Sequence, residues 1–83
     1  MTQIPTWPTT INAIMSSREF AWGVIDGRAG RGYRSAYATW GSNRQFDYER
    51  GRQWAAQAPR SVTLKRAGKV TAEARRWFTD GIL

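Results

Sequence analysis

The sequence predicts a mainly α fold, a small helical domain built on a packed pair of helices, and three observations lead to it. Apolar residues recur at spacings of three and four over 17–28, 42–58 and 71–81. Small residues four apart, Gly23 with Gly27 and Gly51 with Ala55, give the first two of these segments a strip where another backbone can approach. Eighty-three residues with 41% hydrophobic content supply one core, because two cores would each bury too little surface.

The elements follow in chain order. Residues 1–8, with Trp7 between Pro5 and Pro8, read as an extended arm. Thr9 or Thr10 is placed to cap a short helix through Ile11, Ile14 and Met15. Ser16 and Glu19 have the spacing of a capping box, and Phe20, Ala21 and Val24, with Ile25 as a further candidate, then recur at helical spacing in a helix ending near Arg28. Three glycines within 27–32 are too costly in backbone entropy for that helix to continue. Tyr33, Tyr37 and Trp40 suit a short helix or an ordered loop equally well.

Ser42 and Gln45 repeat the capping-box spacing, and Phe46, Gly51, Trp54, Ala55 and Ala58 mark a second helix that stops before Pro59. With Gly23 and Gly27 facing Gly51 and Ala55, the two helices are expected to form a tight antiparallel pair. Val62 and Leu64 alternate with polar residues before Ala67-Gly68, which leaves a small β-hairpin or a basic loop open for 61–70. Thr71 then caps a C-terminal helix with Ala74, Trp77 and Phe78 on one face and Gly81 as its stop; Ile82-Leu83 is expected to pack. The core expected from these phases is Phe20, Val24, Phe46, Trp54, Trp77 and Phe78.

Charge decides the functional class. Eleven Arg and two Lys against six Asp and Glu give +7 and a sequence pI near 11.1. Arginine forks match phosphate or carboxylate and stack on flat rings, so the expected partner is acidic: RNA, or an acidic protein face. The chain has no His and no Cys, which removes thiol nucleophiles, the commonest general base and the usual zinc ligands. No spacing selects a pair among the six carboxylates for acid–base work, and the glycines of 27–32 lack the Lys-Ser/Thr of a phosphate loop. The expectation is a protein that is not an enzyme and has neither metal nor cofactor. The uncharged N-terminal run reads as neither a signal peptide nor a membrane span, and the lack of cysteine leans towards the cytoplasm.

Two stretches are candidates for the interface. Arg28, Arg31 and Arg34 alternate with glycines beside Tyr33 and Tyr37, and Arg44 and Arg52 follow on the next helix. Arg60, Lys65, Arg66 and Lys69 form the second. Aromatics interleaved with arginine suit single-stranded or looped RNA, where every base offers a face and every phosphate a charge. The plainer alternative is that the aromatics are core and the arginines solvate a surface that meets another partner.

Ala21, Gly23, Gly27 and Arg28, then Tyr37, then Tyr48, Gly51, Trp54 and Ala55 give the segment 19–55 a resemblance to the short bacterial ribosome modulation factor family. The resemblance implies two glycine-bearing helical segments joined by a basic aromatic linker, and binding to ribosomal RNA through Arg28, Arg31, Arg34, Arg44 and Arg52. The chain lacks the Cys-Pro linker motif of many members and adds an N-terminal arm and a segment after Pro59. In size and composition it also looks like compact cysteine-free proteins of bacteria and their phages, among which inhibitors of nucleases and defence complexes occur. An inhibitor or regulator that binds an acidic protein face is therefore the alternative to RNA binding.

Overall fold

The computed structural model describes residues 11–81; the expectations for the arm 1–8, the Thr9 or Thr10 cap and the packing of Ile82-Leu83 lie outside them. The described chain is mainly helical: α1 (Ile11–Ser16), α2 (Arg18–Arg28), a 3-10 turn (Ser35–Thr39), α3 (Ser42–Gln57), the two-stranded hairpin β1 (Lys65–Arg66) and β2 (Lys69–Val70), and α4 (Ala72–Gly81). No helix among the described residues is long and apolar enough to cross a membrane.

Local chemistry sets each boundary. The cap of α2 is Ser17, whose hydroxyl accepts the Phe20 N–H at 3.1 Å, so the expected box of Ser16 and Glu19 does not form. Glu19 instead reaches across to Arg44, a stronger partner than a backbone amide one turn away. The helix ends through Gly30, whose positive φ of 71° lets the Arg31 N–H bond the Asp26 carbonyl at 2.9 Å. The cap of α3 is Gly41 and not Ser42, and Gln45 donates its side-chain amide to the Tyr37 carbonyl, so the second expected box is absent too. At the hairpin tip Ala67 and Gly68 both take positive φ, 55° and 79°, as a two-residue I′ turn requires. Thr71 caps α4 as its sequence position implies, accepting the Ala74 N–H at 3.0 Å while donating to the Thr63 carbonyl at 2.7 Å. Gly81 is still helical and is the last residue described.

The small-residue strips of α2 and α3 meet. A Cβ on Gly23 would overlap the Tyr48 carbonyl oxygen and stand 2.9 Å from the Arg52 nitrogen; a Cβ on Gly51 would overlap the Phe20 carbonyl. Gly27 lies against Ala55. The partners advance together along both helices, Glu19 with Arg44, Gly23 with Gly51, Gly27 with Ala55. The pair is thus close-packed as expected but runs in one general direction, not antiparallel. The connection 29–41 makes this possible: it is long enough to return along α2, about 16 Å in length, before α3 begins.

One side of the pair carries the apolar core, made of Ile14, Met15, Phe20, Val24, Trp54, Ala58, Val62, Ala74 and Phe78. The Phe20 ring meets Trp54 at 6.3 Å and Phe78 edge-on at 5.7 Å, and the Trp54 indole N–H donates to the Ala74 carbonyl at 2.9 Å, tying α3 to α4. Of the six residues expected in the core, Phe46 and Trp77 are only partly buried and pack against its margin. The fully buried residue that the helix phase of 42–58 misses is Tyr48, which belongs to a second layer.

Candidate nucleic-acid interface

The opposite side of α2 and α3 carries an aromatic layer of Trp22, Tyr33, Tyr37, Trp40 and Tyr48. Trp22 and Trp40 stack at 5.7 Å with 23° between planes, and Tyr37 and Trp40 meet Tyr48 at 5.8 and 5.4 Å. Arginines cover the rings: Arg18 and Arg34 lie over Trp22 at 5.0 and 4.7 Å, Arg44 over Trp40 at 5.0 Å, and Arg52 over Tyr33 at 4.7 Å. The connection 29–41 folds onto the helices because its rings are drawn out of water there and its cations find π-faces.

Two buried carboxylates organise the layer. Asp26, 2% exposed, accepts from Arg34 Nε at 2.8 Å and from the Tyr48 hydroxyl at 2.6 Å, with Arg31 at 3.7 Å. Burial pushes the Asp26 carboxyl up, but Arg34, Tyr48 and Arg31 outweigh it and hold the group below the usual carboxylate range. Glu19 repeats the pattern: burial raises it, and Arg44 at 2.7 Å, helped by Arg18, brings it below its ordinary value. Asp47, less well partnered, goes the other way. Its pKa is pushed up to about 6 by burial, against the pull of the Ser17 hydroxyl and with the Glu19 charge adding to the rise.

The residues singled out in the sequence have therefore been separated by the fold. Arg28 lies over the Trp54 ring at 4.9 Å and donates through Nη2 to the Pro59 and Val62 carbonyls, both at 3.1 Å, bracing α2 against the chain beyond α3. Its buried Nε has no hydrogen-bond partner, and burial, then the charge of Arg60, lowers its pKa. Arg60 in turn donates to the Arg28 carbonyl. Arg34 and Arg44 hold the carboxylates. Arg52 bonds the Arg31 carbonyl at 2.7 Å and the Gly32 carbonyl at 3.4 Å, and Tyr37 donates its hydroxyl to Glu49.

Arg31 and Tyr33 are brought together and left open. The Arg31 side chain is 67% exposed and Tyr33 is 54% exposed. They line an open hollow of about 520 Å³ with Asp26, Gly32, Arg34, Ser35 and Ala36. Arg52 fixes its floor by holding the carbonyls of 31 and 32 while lying against the Tyr33 ring. Such an arrangement can take a phosphate on the Arg31 guanidinium beside a planar group on the tyrosine.

The second basic stretch is elsewhere, on the hairpin. Lys65 donates to the Ser16 carbonyl at 3.4 Å, while Arg66 and Lys69 are exposed and have no ion pair among the described residues. Sequence reasoning missed Trp22, Trp40, Asp26 and Glu19 as parts of one assembly. The spacing 19, 22, 26 on α2 is the signal: it puts two acids and a tryptophan on one face, away from Phe20 and Val24. No family model, no curated protein and no solved structure matches the chain.

Proposed function

We propose that this is a non-catalytic RNA-binding protein of the cytoplasm, associated with ribosomal or other looped RNA through the hollow at Arg31 and Tyr33. The observation that carries the reading is the pair itself: a guanidinium that is 67% exposed and only loosely paired with Asp26 at 3.7 Å, beside a half-open ring, on a backbone already pinned by Arg52. A preformed site loses less entropy on binding than a mobile loop would. The neighbouring arginines support it indirectly. By neutralising Asp26 and Glu19 internally they leave an outer surface where positive charge dominates. The lack of cysteine suits a reducing compartment.

Binding of the purified chain to single-stranded and stem-loop RNA across a salt series tests this. The double variant Arg31→Gln/Tyr33→Ala is expected to bind several-fold more weakly, with a salt dependence shallower by about 0.7–0.9 for the single phosphate no longer neutralised. Equal binding by the variant overturns the assignment. Recovery from cells of a defined protein partner that survives nuclease treatment, with no RNA binding in vitro, establishes the acidic-protein alternative instead.

A further inference from the structure

At the other end of α2 three elements far apart in sequence frame a second hollow. Asn12 and Ser16 of α1, Gly68, Lys69 and Val70 of the hairpin, and Arg75 of α4 line an open hollow of about 490 Å³, and none of these described residues carries a carboxylate. Arg75 is set into it by a hydrogen bond from Nη1 to the Asn12 side-chain oxygen at 3.1 Å, which leaves its other guanidinium N–H groups without a described hydrogen-bond partner. Of the hairpin cations Lys69 lines the hollow, and the register places Arg66, outside that lining, directly opposite Lys69. Like charges facing each other across a ladder of two residue pairs repel, and no described acid stands between them. The I′ turn at Ala67-Gly68 holds both strands to that register, so the repulsion cannot be relieved by slippage.

We propose that Arg66, Lys69 and Arg75 form a phosphate-binding site for a nucleic-acid backbone. A polyanion supplies what the fold lacks there, a negative charge between Arg66 and Lys69 and an acceptor for the guanidinium that Asn12 orients. The described residues of its wall include no ring, so the cations there address backbone charge. The site stands independently of the one at Arg31 and Tyr33. Ser16 and Asp26 mark the two hollows, and the stretch of α2 from Arg18 to Asp26 between them is about 12 Å long. A strand occupying both must span that distance, so a dinucleotide can fill only one.

Two titrations of the full chain decide it. In the first, inorganic pyrophosphate is followed by amide chemical shifts. Saturable shifts at Gly68, Lys69 and Val70 that vanish in Arg66→Gln/Lys69→Gln/Arg75→Gln are expected, and their absence in the wild type overturns the site. In the second, single-stranded RNA in the range of about 4–16 nucleotides is bound across a salt series. For the longer strands the triple variant is expected to flatten the salt dependence by about 0.7 for each of three phosphates. An unchanged slope overturns the nucleic-acid assignment. The Arg31→Gln/Tyr33→Ala variant keeps the outcomes distinguishable: if it binds RNA normally while the triple variant does not, the hollow at Tyr33 is wrong and this site stands. A melting temperature for Arg66→Gln/Lys69→Gln at or above that of the wild type confirms that the two cations do not support the fold; a clear loss would make them structural and overturn the proposal.

Discussion

The connection after α2 and the hairpin after α3 are alike in composition, basic and glycine-bearing, yet the fold uses them in opposite ways. Between 28 and 44 every arginine but the exposed Arg31 is engaged within the molecule, Arg28 on carbonyls and a tryptophan, Arg34 on Asp26, Arg44 on Glu19. On the hairpin, Arg66 and Lys69 face each other and water. What separates the two regions is their neighbours. The connection lies against α2, which presents two acids and Trp22 on one face, whereas no acid among the described residues pairs with Arg66 or Lys69. An arginine's role follows from what its surroundings lack, not from the arginines beside it in sequence.

The largest expected effect comes from removing the acid that organises the connection. Asp26→Ala leaves Arg34 and Arg31 without their carboxylate and the buried Tyr48 hydroxyl without its acceptor, and should destabilise by about 3 kcal/mol, the low end for a buried pair because Arg34 is partly exposed. Arg66→Ala on the hairpin should stay within about 0.5 kcal/mol. Urea unfolding of the two variants compares the regions directly, and equal losses would erase the distinction.

The connection can follow its course only if α2 and α3 touch at their glycines. Gly23→Ala forces a methyl against the Tyr48 carbonyl and should cost about 2 kcal/mol net, although alanine's helix propensity contributes roughly 1 kcal/mol in the other direction. A thermal melt at or above that of the wild type would show that the helices are free to move apart.

The smallest effect sharpens the contrast among the acids themselves. Asp47, raised to about 6, binds its proton more tightly folded than unfolded, so its ionisation costs stability as pH rises from about 4 through 6. Glu19 and Asp26, both lowered, contribute stability that is full above their ordinary values near 4.5 and 3.8 and fades as pH falls through their folded values. Stability should therefore rise slightly from pH 7 to 5 and fall below 4. Asp47→Asn should remove the first slope and stabilise at pH 8 by about 1 kcal/mol, discounted for partial exposure. A flat wild-type profile between pH 5 and 7 would contradict this.

Much of the fold could be read from residue spacing. Gly23 and Gly51 announced the close approach because two helix-weakening residues need a reason, and Thr71 announced its helix because a capping hydroxyl has few other uses there. The direction of the pair was hidden, since a small-residue strip reads the same for either orientation and only the return path of 29–41 decides. Both capping boxes misled for one reason: Glu19 and Gln45 had better long-range partners in Arg44 and the Tyr37 carbonyl. At the candidate site, the sequence showed the cations at 28, 31 and 34 but not that two of them are engaged within the fold. That depends on Asp26 and on the Pro59 and Val62 carbonyls, which folding alone brings near.

The interlocked glycines also bear on the order of assembly. Gly23 fits the Tyr48 carbonyl and Gly51 the Phe20 carbonyl, and this seam joins consecutive helices through a modest loop. The links that close the hairpin and α4 onto α1 span far more chain, 49 residues from Lys65 to Ser16 and 63 from Arg75 to Asn12. Loop-closure entropy favours the nearer pairing, so the α2–α3 seam is the natural nucleus and the hairpin docks late. Damage to the seam then slows the rate at which the chain finds its native state, whereas loosening the hairpin mainly shortens the time it stays there.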